Sequence, residues 1–487
     1  MHRSSCIAAA TLLVLAVGTP ARAQTDATVA GLIAGQGAGD INDTKGKYAV
    51  HGTDLGFMWR DSRGRVALMF GDTYGEGWGH NGAGPASADW RMNVLAFSTD
   101  TTLSDGLTID SMVTDRPNHA KQLIGRWLPR IFEETVIPTA GVSVGGRDYV
   151  HYMSIRSWDP WITNYAGLAY SDDGGQNWVK STTAWWPNSG VLSNFQLGAF
   201  VRDSGYVYLF GTPNGRFGNA HLLRVPEARV LDVPSYEYWT AAGWQRSADG
   251  AIPVMSGQVG ELSVQYNAFL GKWVAMHLDE QRTAIVMRTA SSLTGPWTGG
   301  EVVAHGRDHP GLYGGFQHPD SGADLYFAMS EWQPYHVQLM KLPLAGRGMD
   351  QNLAQNGGFE DWPGTWRFNG QGGVDLGKDL AHSGRNNGWV RGTSGWHDMH
   401  EQIVVQPGLR YRITGWVRSS ESNTDGYFGV RAGNRVVAEQ KFGSYHDYTR
   451  LSVEFVADTP SLDVYAGMWA VHGDTWVQVD DVALEVV

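Results

Sequence analysis

Three acidic residues, Asp54, Asp72 and Glu261, adjoin apolar, strand-like runs of the sequence. Buried strands seldom contain carboxyl groups unless partners satisfy them or a function requires them. Two carboxyl groups can share acid–base work, one donating a proton and the other activating water or attacking carbon. That division of labour is the chemistry that cleaves glycosidic bonds. These three residues are therefore the candidate catalytic groups.

The spacing of Asp54 and Asp72 predicts that both lie at one end of a β-hairpin. Antiparallel pairing about a turn near Arg63 would place Asp72 directly opposite Asp54. Opposed side chains have Cβ atoms about 5 Å apart, so one carboxyl should keep its proton to higher pH. We assign Asp54 as general base and Asp72 as general acid, with the roles open to exchange. The structural alternative is that Asp72 caps a turn and Asp54 binds backbone amides.

Aromatic and polar residues near these acids could bind a ligand that has both flat faces and hydroxyl groups. The 487 residues include 21 Trp and 63 Gly, and a glycine-rich segment (71–82) follows Asp72 directly. The candidate substrate-binding residues are Trp78, Arg91, Gln196, Arg216 and His318. Each taken alone is equally consistent with packing or a surface ion pair. We expect a cleft to contain at least two of the loop aromatic residues Trp158, Trp161, Tyr165 and Trp332.

Five similar hairpins between residues 50 and 344 must position these groups. Each has a turn, a short apolar strand and a further strand, and the apolar strands are Arg65–Phe70, Asp148–Met153, Gly205–Phe210, Lys272–His277 and Asp324–Met329. Repeated antiparallel units of this size are typical of a five-bladed β-propeller, whose first strands line a central channel. Asp54, Gln196 and Glu261 share one position in their repeats and should meet at one end of that channel. A pair of β-sandwiches is the alternative architecture.

Several motifs of this region resemble a known family. They are Gly52–Gly56, Phe70–Thr73, Gly260–Ser263, Tyr313–Gly315 and His318–Pro319. The segment from about Gly31 to Leu344 resembles a bacterial propeller family, formerly of unknown function, that includes endo-D-arabinanases. The resemblance implies that Asp54 and Asp72 are catalytic, without a cofactor, and that the substrate is a polysaccharide of α-linked D-arabinofuranose. More distant arabinan-cleaving propellers place the acid on a later blade, which makes Glu261 a third candidate.

Residues 351–487 predict a second all-β domain after a short linker. Alternating runs such as Tyr411–Val417 indicate half-buried strands. The segments Asn352–Glu360 and Val477–Leu484 resemble jelly-roll carbohydrate-binding modules, which implies a β-sandwich. The same resemblance implies a structural Ca²⁺ held by Glu360 with Asp480 or Asp481, since hard cations prefer oxygen ligands. A sugar platform could include Trp366, Trp389, Trp396 and Trp469; a packing module without a ligand is the alternative.

The first 23 residues predict a secretory signal peptide. Arg3, an apolar run over Cys6–Val17 and the small-residue site Ala21–Ala23 follow one another in the expected order. Cleavage there would remove the single cysteine of the sequence. The net charge of −12 and the lack of a basic cluster argue against nucleic acid, and no other apolar run is long enough for a membrane. We expect a secreted or periplasmic monomer with a propeller over 24–344 and a sandwich over 351–487.

Two other functions fit parts of the sequence. A lectin-like propeller would bind glycan through an aromatic cleft without needing a pair of acids. Ser171–Trp178 matches the Asp-box turn of sialidase-like propellers, where it is structural. Sialidase chemistry would need three arginines and a tyrosine nucleophile to converge, and the sequence does not place such a set.

Overall fold

The computed structural model describes residues 26–347 and 351–487, except residue 363, so the predicted signal peptide lies outside the described residues. The fold is all-β, with 53% strand and 4% helix. Its helical segments are the α-helix Thr44–Tyr48 and the 3₁₀ turns Leu103–Asp105, Gly190–Phe195, Glu227–Arg229 and Val233–Ser235. None of the helices in the described ranges is long and apolar enough to cross a membrane.

The N-terminal part contains five antiparallel sheets in which most strands pair in chain order. Sheet 1 contains Leu55–Arg60, Val66–Phe70, Val94–Ser98 and Ser111–Met112. Sheet 2 contains Thr135–Val144, Arg147–Trp158, Trp161–Ser171 and Val179–Pro187. Sheet 3 contains Leu197–Asp203, Tyr206–Thr212, Ala220–Pro226, Glu237–Thr240, Gly243–Gln245 and Pro253–Met255.

Sheet 4 contains Val259–Asn267, Lys272–Asp279, Ala284–Ala290 and Glu301–His305. Sheet 5 contains Leu312–Gln317, Asp324–Glu331, His336–Pro343 and the N-terminal strand Thr28–Ala34. Two small strand pairs lie outside the five sheets. Thr73–Tyr74 pairs with Trp90–Arg91 between the second and third strands of sheet 1, and Thr114–Arg116 pairs with His119–Ala120 between sheets 1 and 2 along the chain.

The first strands of the five sheets contact one another in a ring. The order around the ring is Leu55–Arg60, Thr135–Val144, Leu197–Asp203, Val259–Asn267, Leu312–Gln317 and back to the first. The strand Thr28–Ala34 pairs antiparallel with His336–Pro343, so the beginning and the end of this region share one sheet. Hydrogen bonds in that sheet therefore hold the ring closed.

The five apolar strands predicted from the sequence are the second strands of the five sheets. The structure begins each of them within one residue of the predicted start. Val66–Phe70, for example, is buried along its whole length. Because each sheet packs between two neighbours, a middle strand loses solvent on both faces and becomes continuously apolar.

The Asp-box turn lies at the end of sheet 2 that faces away from the starts of the first strands. Ser171 Oγ donates a 2.8 Å hydrogen bond to Asp173 Oδ1, and Trp178 Nε1 donates to Gly175 O at 3.0 Å. Arg63, in the first hairpin turn of sheet 1, donates to the backbone oxygen of Asp173 at 2.7 Å. These contacts give the turn a structural role, as the sequence predicts.

The C-terminal part consists of two five-stranded antiparallel sheets. Sheet 6 contains Arg367–Asn369, Gly395–Val404, Ser461–Ala470, Gly426–Ala432 and Arg435–Phe442 in that spatial order. Sheet 7 contains Gln371–Leu376, Asn386–Gly392, Thr475–Val486, Arg410–Ser419 and Thr449–Val456. Both sheets contribute to one apolar core that includes Val390, Ile413, Phe428, Val464 and Val479.

Polar contacts join the two parts of the chain. The buried guanidinium of Arg288 donates to Gln355 Oε1 at 2.9 Å, and Gly299 N donates to Asn352 O at 2.8 Å. Gln406 Nε2 also donates to a backbone oxygen of the N-terminal part at 2.7 Å. The junction is therefore a set of specific hydrogen bonds between two separate apolar cores.

Candidate active site

A cavity of about 540 Å³ lies at the end of the ring where the first strands begin. Asp54, Asp72 and Glu261 all line it, so the structure brings the three candidate acids together. Six aromatic residues line it: Trp158, Trp161, Tyr313, Phe316, Trp332 and Tyr335. The prediction that at least two of the four loop aromatic residues lie in a cleft is confirmed, since Trp158, Trp161 and Trp332 line this cavity, whereas Tyr165 does not.

A β-bulge sets the position of Asp54. Gly56 is an extra residue in the pairing of the first two strands of sheet 1, and Leu55 and Gly56 both have positive φ, 65° and 79°. The bulge shifts the register, so that Gly71 N donates to Asp54 O at 3.1 Å. The predicted pairing of Asp54 with Asp72 was therefore wrong by one residue. Gly71 leaves room for the acid, because a Cβ there would lie 2.4 Å from Asp54 Oδ1.

Asp54 lies in surroundings that favour its protonated form. Burial, followed by the charge of nearby Asp72, raises the pKa of Asp54 to about 8. Tyr313 donates a 3.1 Å hydrogen bond to Oδ2, and with Tyr335 it offsets part of that rise. The other oxygen, Oδ1, is buried and has no hydrogen-bond partner among the described residues. An unpartnered oxygen in a buried carboxyl disfavours the charged form.

Asp72 is also buried, but its carboxyl has better partners. Its Oδ1 accepts hydrogen bonds from Trp90 Nε1 at 2.8 Å and from Thr135 Oγ1 at 2.9 Å. Burial raises the pKa of Asp72 to about 7, while these two donors and the charge of Arg126 oppose the rise. The two donors therefore favour the ionised form of Asp72, whereas Asp54 has an oxygen without such a donor among the described residues.

Glu261 forms an ion pair at the cavity wall. Arg216 Nε and Nη2 donate to Glu261 Oε1 at 2.9 and 2.6 Å, and Arg216 also lies 3.7 Å from Glu280. The guanidinium carbon is 5.4 Å from the ring centre of Trp161 and 5.2 Å from that of Tyr313. This ion pair fixes the Arg216 side chain and places a cation beside the aromatic wall.

Trp78 and Arg91, two of the expected substrate-binding residues, are not among the residues that line the cavity. Trp78 is 5% exposed, packs against Tyr335, and donates from Nε1 to Gly82 O at 2.9 Å. Arg91 is 4% exposed and donates to Ala49 O at 2.7 Å. Both side chains hold the loops behind the cavity in place.

Gln196 and His318 likewise lie away from the cavity surface. Gln196 is fully buried, and its Oε1 accepts from Thr163 Oγ1 at 2.7 Å, which joins sheets 2 and 3. His318 lies beyond the last residue of the first strand of sheet 5, at the opposite end of the ring. Burial lowers the pKa of His318 to about 4, so the imidazole is neutral. Of the five expected binding residues, Arg216 alone is among those that line the cavity.

Sequence reasoning missed three residues that contact the acids. Thr135 begins the first strand of sheet 2, and the repeat alignment could have found it, because Asp54 precedes the same strand in sheet 1. Trp90 lies in the small strand pair Thr73–Tyr74 with Trp90–Arg91, which brings its side chain to Asp72. Strands of two residues are too short to give a periodic pattern in the sequence. Tyr335 lies in a turn with φ of 49°, a conformation that the sequence does not reveal.

The acids expected to bind Ca²⁺ surround one segment, residues 382–386. Asp480 Oδ2 accepts from the backbone N–H groups of His382 and Ser383 at 2.8 and 3.0 Å. Glu360 Oε1 accepts from two further backbone N–H groups of the segment, and Asp481 Oδ1 accepts from Ser383 Oγ. The oxygen donors suit Ca²⁺, but N–H and O–H donors already use them, and no His, Cys, Asp or Glu cluster in the described ranges forms a cation cage. Ca²⁺ binding stays a prediction.

Together these features define an all-β protein with a carboxyl-lined cavity at one end of a ring of five sheets. Residues 39–341 match the family described as "Domain of unknown function (DUF4185)", so the chain belongs to that family.

Two fungal proteins are similar to this chain. Notoamide biosynthesis cluster protein J of Aspergillus sp. (strain MF297-2) is 31% identical over 322 residues, which are 60% of this chain and 83% of the relative. Notoamide biosynthesis cluster protein J′ of Aspergillus versicolor is 31% identical over 320 residues, 60% of this chain and 84% of the relative. Among solved structures, an exo-β-1,3-galactanase from Phanerochaete chrysosporium aligns over 93% of this chain and 100% of its own, at 13% identity and a TM-score of 0.38.

Proposed function

We propose that this protein is a glycoside hydrolase that cuts internal α-D-arabinofuranosyl linkages of a cell-wall arabinan. The observation that supports this most directly is the pair of buried acids, Asp54 and Asp72, in one cavity with aromatic walls. Both have a raised pKa, and they differ in their hydrogen-bond partners. Two carboxyl groups with unequal proton affinity are what acid–base cleavage of a glycosidic bond requires.

The two environments suggest which acid plays which role. Asp54, with the higher pKa, donates its proton to the glycosidic oxygen as the bond to the anomeric carbon breaks. Asp72, with Oδ1 held by two donors, accepts a proton from the water that attacks that carbon. This assignment exchanges the roles proposed from the sequence.

The remaining cavity groups suit a sugar chain. Trp158, Trp161 and Trp332 offer flat apolar faces to sugar rings, and the Arg216–Glu261 pair offers donors and an acceptor to hydroxyl groups. The arabinan assignment itself rests on the motif resemblance around Asp54 and Asp72. Glu261, already paired with a cation, is assigned to substrate binding rather than proton donation.

We also propose a specific architecture for the two parts of the chain and a location outside the cytoplasm. The ring of first strands supports a five-bladed β-propeller, and the two sheets around one core support a jelly-roll module. The signal-peptide pattern of residues 1–23 supports export of the chain, and we propose that it acts as a monomer. The rival function is a lectin-like propeller that binds glycan in the cavity without cutting it.

Product chromatography after incubation of the mature protein with D-arabinan, and separately with L-arabinan, tests the proposal. We expect a ladder of oligosaccharides from D-arabinan alone, since an endo-acting enzyme releases intermediate lengths. Intact D-arabinan that still co-sediments with folded protein would favour the lectin-like function. Products from L-arabinan alone would keep the hydrolase and reject the substrate assignment.

A further inference from the structure

The outer face of sheet 7 holds a second cavity, of about 560 Å³, that shares no lining residue with the candidate active site. Side chains alternate along its strands. Val390, Val477 and Val479 are fully buried in the core, so their neighbours Trp389, Trp476 and Gln478 face outward. Most outward faces of sandwich sheets carry scattered polar residues, whereas this one gathers two tryptophans in a concave surface.

The floor of this cavity is built around Trp389. In sheet 7, Trp389 pairs with Gly373 on one side and Gln478 on the other. Gly373 has no side chain, and a Cβ there would lie 3.5 Å from Trp389 Cζ2, so the indole ring lies beside the position that a side chain would occupy. Trp476 pairs with Arg391 on the neighbouring strand, and both line the same cavity. The indole Nε1 of Trp389 is buried without a hydrogen-bond partner among the described residues.

A fixed chain of polar groups crosses the floor beside these rings. Arg418 Nε donates to Gln478 Oε1, Gln478 Nε2 donates to Asp375 Oδ2 at 2.9 Å, and Lys378 Nζ donates to Asp375 Oδ1 at 2.8 Å. Asp375 itself is 6% exposed. Because each member is held by its neighbour, the donors and acceptors have set directions before any ligand arrives, which lowers the entropic cost of binding.

The charges of the cavity restrict its occupant. Arg391, Arg418 and Lys378 contribute cations, while Asp375 and Glu421 contribute carboxylates among the lining residues. Asp375 contacts Lys378, and Arg391 pairs with Asp474. A polyanion would meet the two carboxylates, and a polycation would meet the three basic groups. A neutral ligand with many hydroxyl groups can use both kinds of partner and can lay its rings on Trp389 and Trp476.

We propose that this cavity, with Trp389 and Trp476 as its platform, binds a short segment of a neutral polysaccharide. This site goes beyond the proposed cleavage site, because it has its own lining residues and needs no acid pair. Its role is to hold the chain on a polymer while the other cavity acts.

Native gel electrophoresis through D-arabinan, L-arabinan or β-1,4-galactan tests this site with the full-length mature chain. The key variant combines Trp389→Ala with Trp476→Ala. The matched control is Trp185→Ala, since Trp185 is 45% exposed on sheet 2 and lines neither this cavity nor the candidate active site. We expect retardation of the wild type by at least one polymer, a Kd at least tenfold higher in the double variant, and no change in the control.

A second measurement keeps the test valid if the double variant misfolds. N-bromosuccinimide oxidises accessible indoles, and mass spectrometry locates the modified residues. Oligosaccharides prepared from the retarding polymer should protect Trp389 and Trp476 of the wild-type protein, but not the exposed Trp185. Retardation that survives in a folded double variant, no retardation by any of the three polymers, or absence of protection would overturn the proposal. Cleavage of D-arabinan is scored separately, so failure of the hydrolase proposal would remain distinguishable from failure of this one.

Discussion

Asp54 and Asp72 differ in their hydrogen-bond donors rather than in their burial. Trp90 and Thr135 both donate to one oxygen of Asp72, whereas one oxygen of Asp54 has no partner among the described residues. Donors to a carboxylate lower its pKa, and burial without donors raises it. This difference in hydrogen-bond donors supports Asp54 as the general acid and Asp72 as the general base.

The two roles predict different behaviour of the single variants. Asp54→Asn should retain measurable turnover of a 4-nitrophenyl arabino-oligosaccharide, since that leaving group needs little protonation, while losing the natural polymer. Asp72→Asn should lose both substrates, and added azide should restore part of its activity by replacing the activated water. Initial rates with and without azide measure this. Rescue of the Asp54 variant alone would exchange the roles.

The pH–rate profile should be bell-shaped with its maximum between about pH 7 and 8. Activity needs Asp72 ionised, and its pKa of about 7 makes the rate fall as pH drops below 7. It also needs Asp54 protonated, and its pKa of about 8 makes the rate fall above 8. Each limb should approach a tenfold change per pH unit. An optimum near pH 5, with full activity lost by pH 7, would contradict the assignment.

Ionised Asp54 should also destabilise the folded state at high pH. Its pKa is raised above that of an unfolded Asp, so the folded state binds this proton more tightly. Its stabilising effect is present below the unfolded pKa near 4 and is lost as pH rises through about 8. Asp54→Asn should therefore raise Tm relative to the wild type by several degrees at pH 9 and by much less at pH 5. Differential scanning calorimetry at both values checks this, and an equal shift at both would show that charge is not the cause.

At the scale of the elements, the bulge at Gly56 and the bare backbone at Gly71 make room for the Asp54 carboxyl. A Cβ at Gly71 would lie 2.4 Å from Asp54 Oδ1 and 2.9 Å from Leu55 Cδ1. Real Cβ atoms do not approach so closely, so Gly71→Ala must displace the acid or its neighbour.

We expect Gly71→Ala to lower kcat at least tenfold with a smaller change in KM, because the cavity walls that bind substrate stay in place. Gly322→Ala is the matched control, since a Cβ there would meet nothing within 4 Å. Steady-state kinetics and circular dichroism of both variants make the comparison. Equal kcat in the two variants would mean that Asp54 tolerates displacement and is not the acid.

The strands were predictable from the sequence because burial between sheets makes them continuously apolar, as in Val66–Phe70. The sequence also predicted that Asp54, Asp72 and Glu261 lie close together, because of their positions relative to the strands of their hairpins. The one-residue register error arose from Gly56, although glycine inside a strand is itself a signal of a bulge.

The structural roles of Trp78 and Arg91 could not be predicted from composition and local sequence pattern. The glycines around Trp78 suggested an open loop, yet a Cβ on Gly52 would lie 2.6 Å from its ring, so glycine here permits tight packing. Arg91 is held by backbone oxygens of Ala49 and Ala120, which come from distant loops. Neither arrangement leaves a trace in the spacing of residue types.

The candidate cleavage site and the sheet 7 cavity lie in separate parts of one chain. The strand Thr28–Ala34 closes the ring through sheet 5, and Arg288 and Gln355 join the two parts by a buried hydrogen bond. Binding through one part would raise the effective concentration of polymer at the other. This arrangement suits a substrate that is long and repetitive.

Release of reducing ends from D-arabinan directly tests whether Asp54 and Asp72 cleave this polymer. Wild type, Asp54→Asn, Asp72→Asn and the control Glu261→Gln would be compared at equal concentration and at pH 7.5. We expect release by the wild type, a loss of at least a thousandfold in each aspartate variant, and a smaller loss in the glutamate variant. Wild-type rates in folded Asp54→Asn or Asp72→Asn, or a folded wild type that releases nothing, would contradict this expectation.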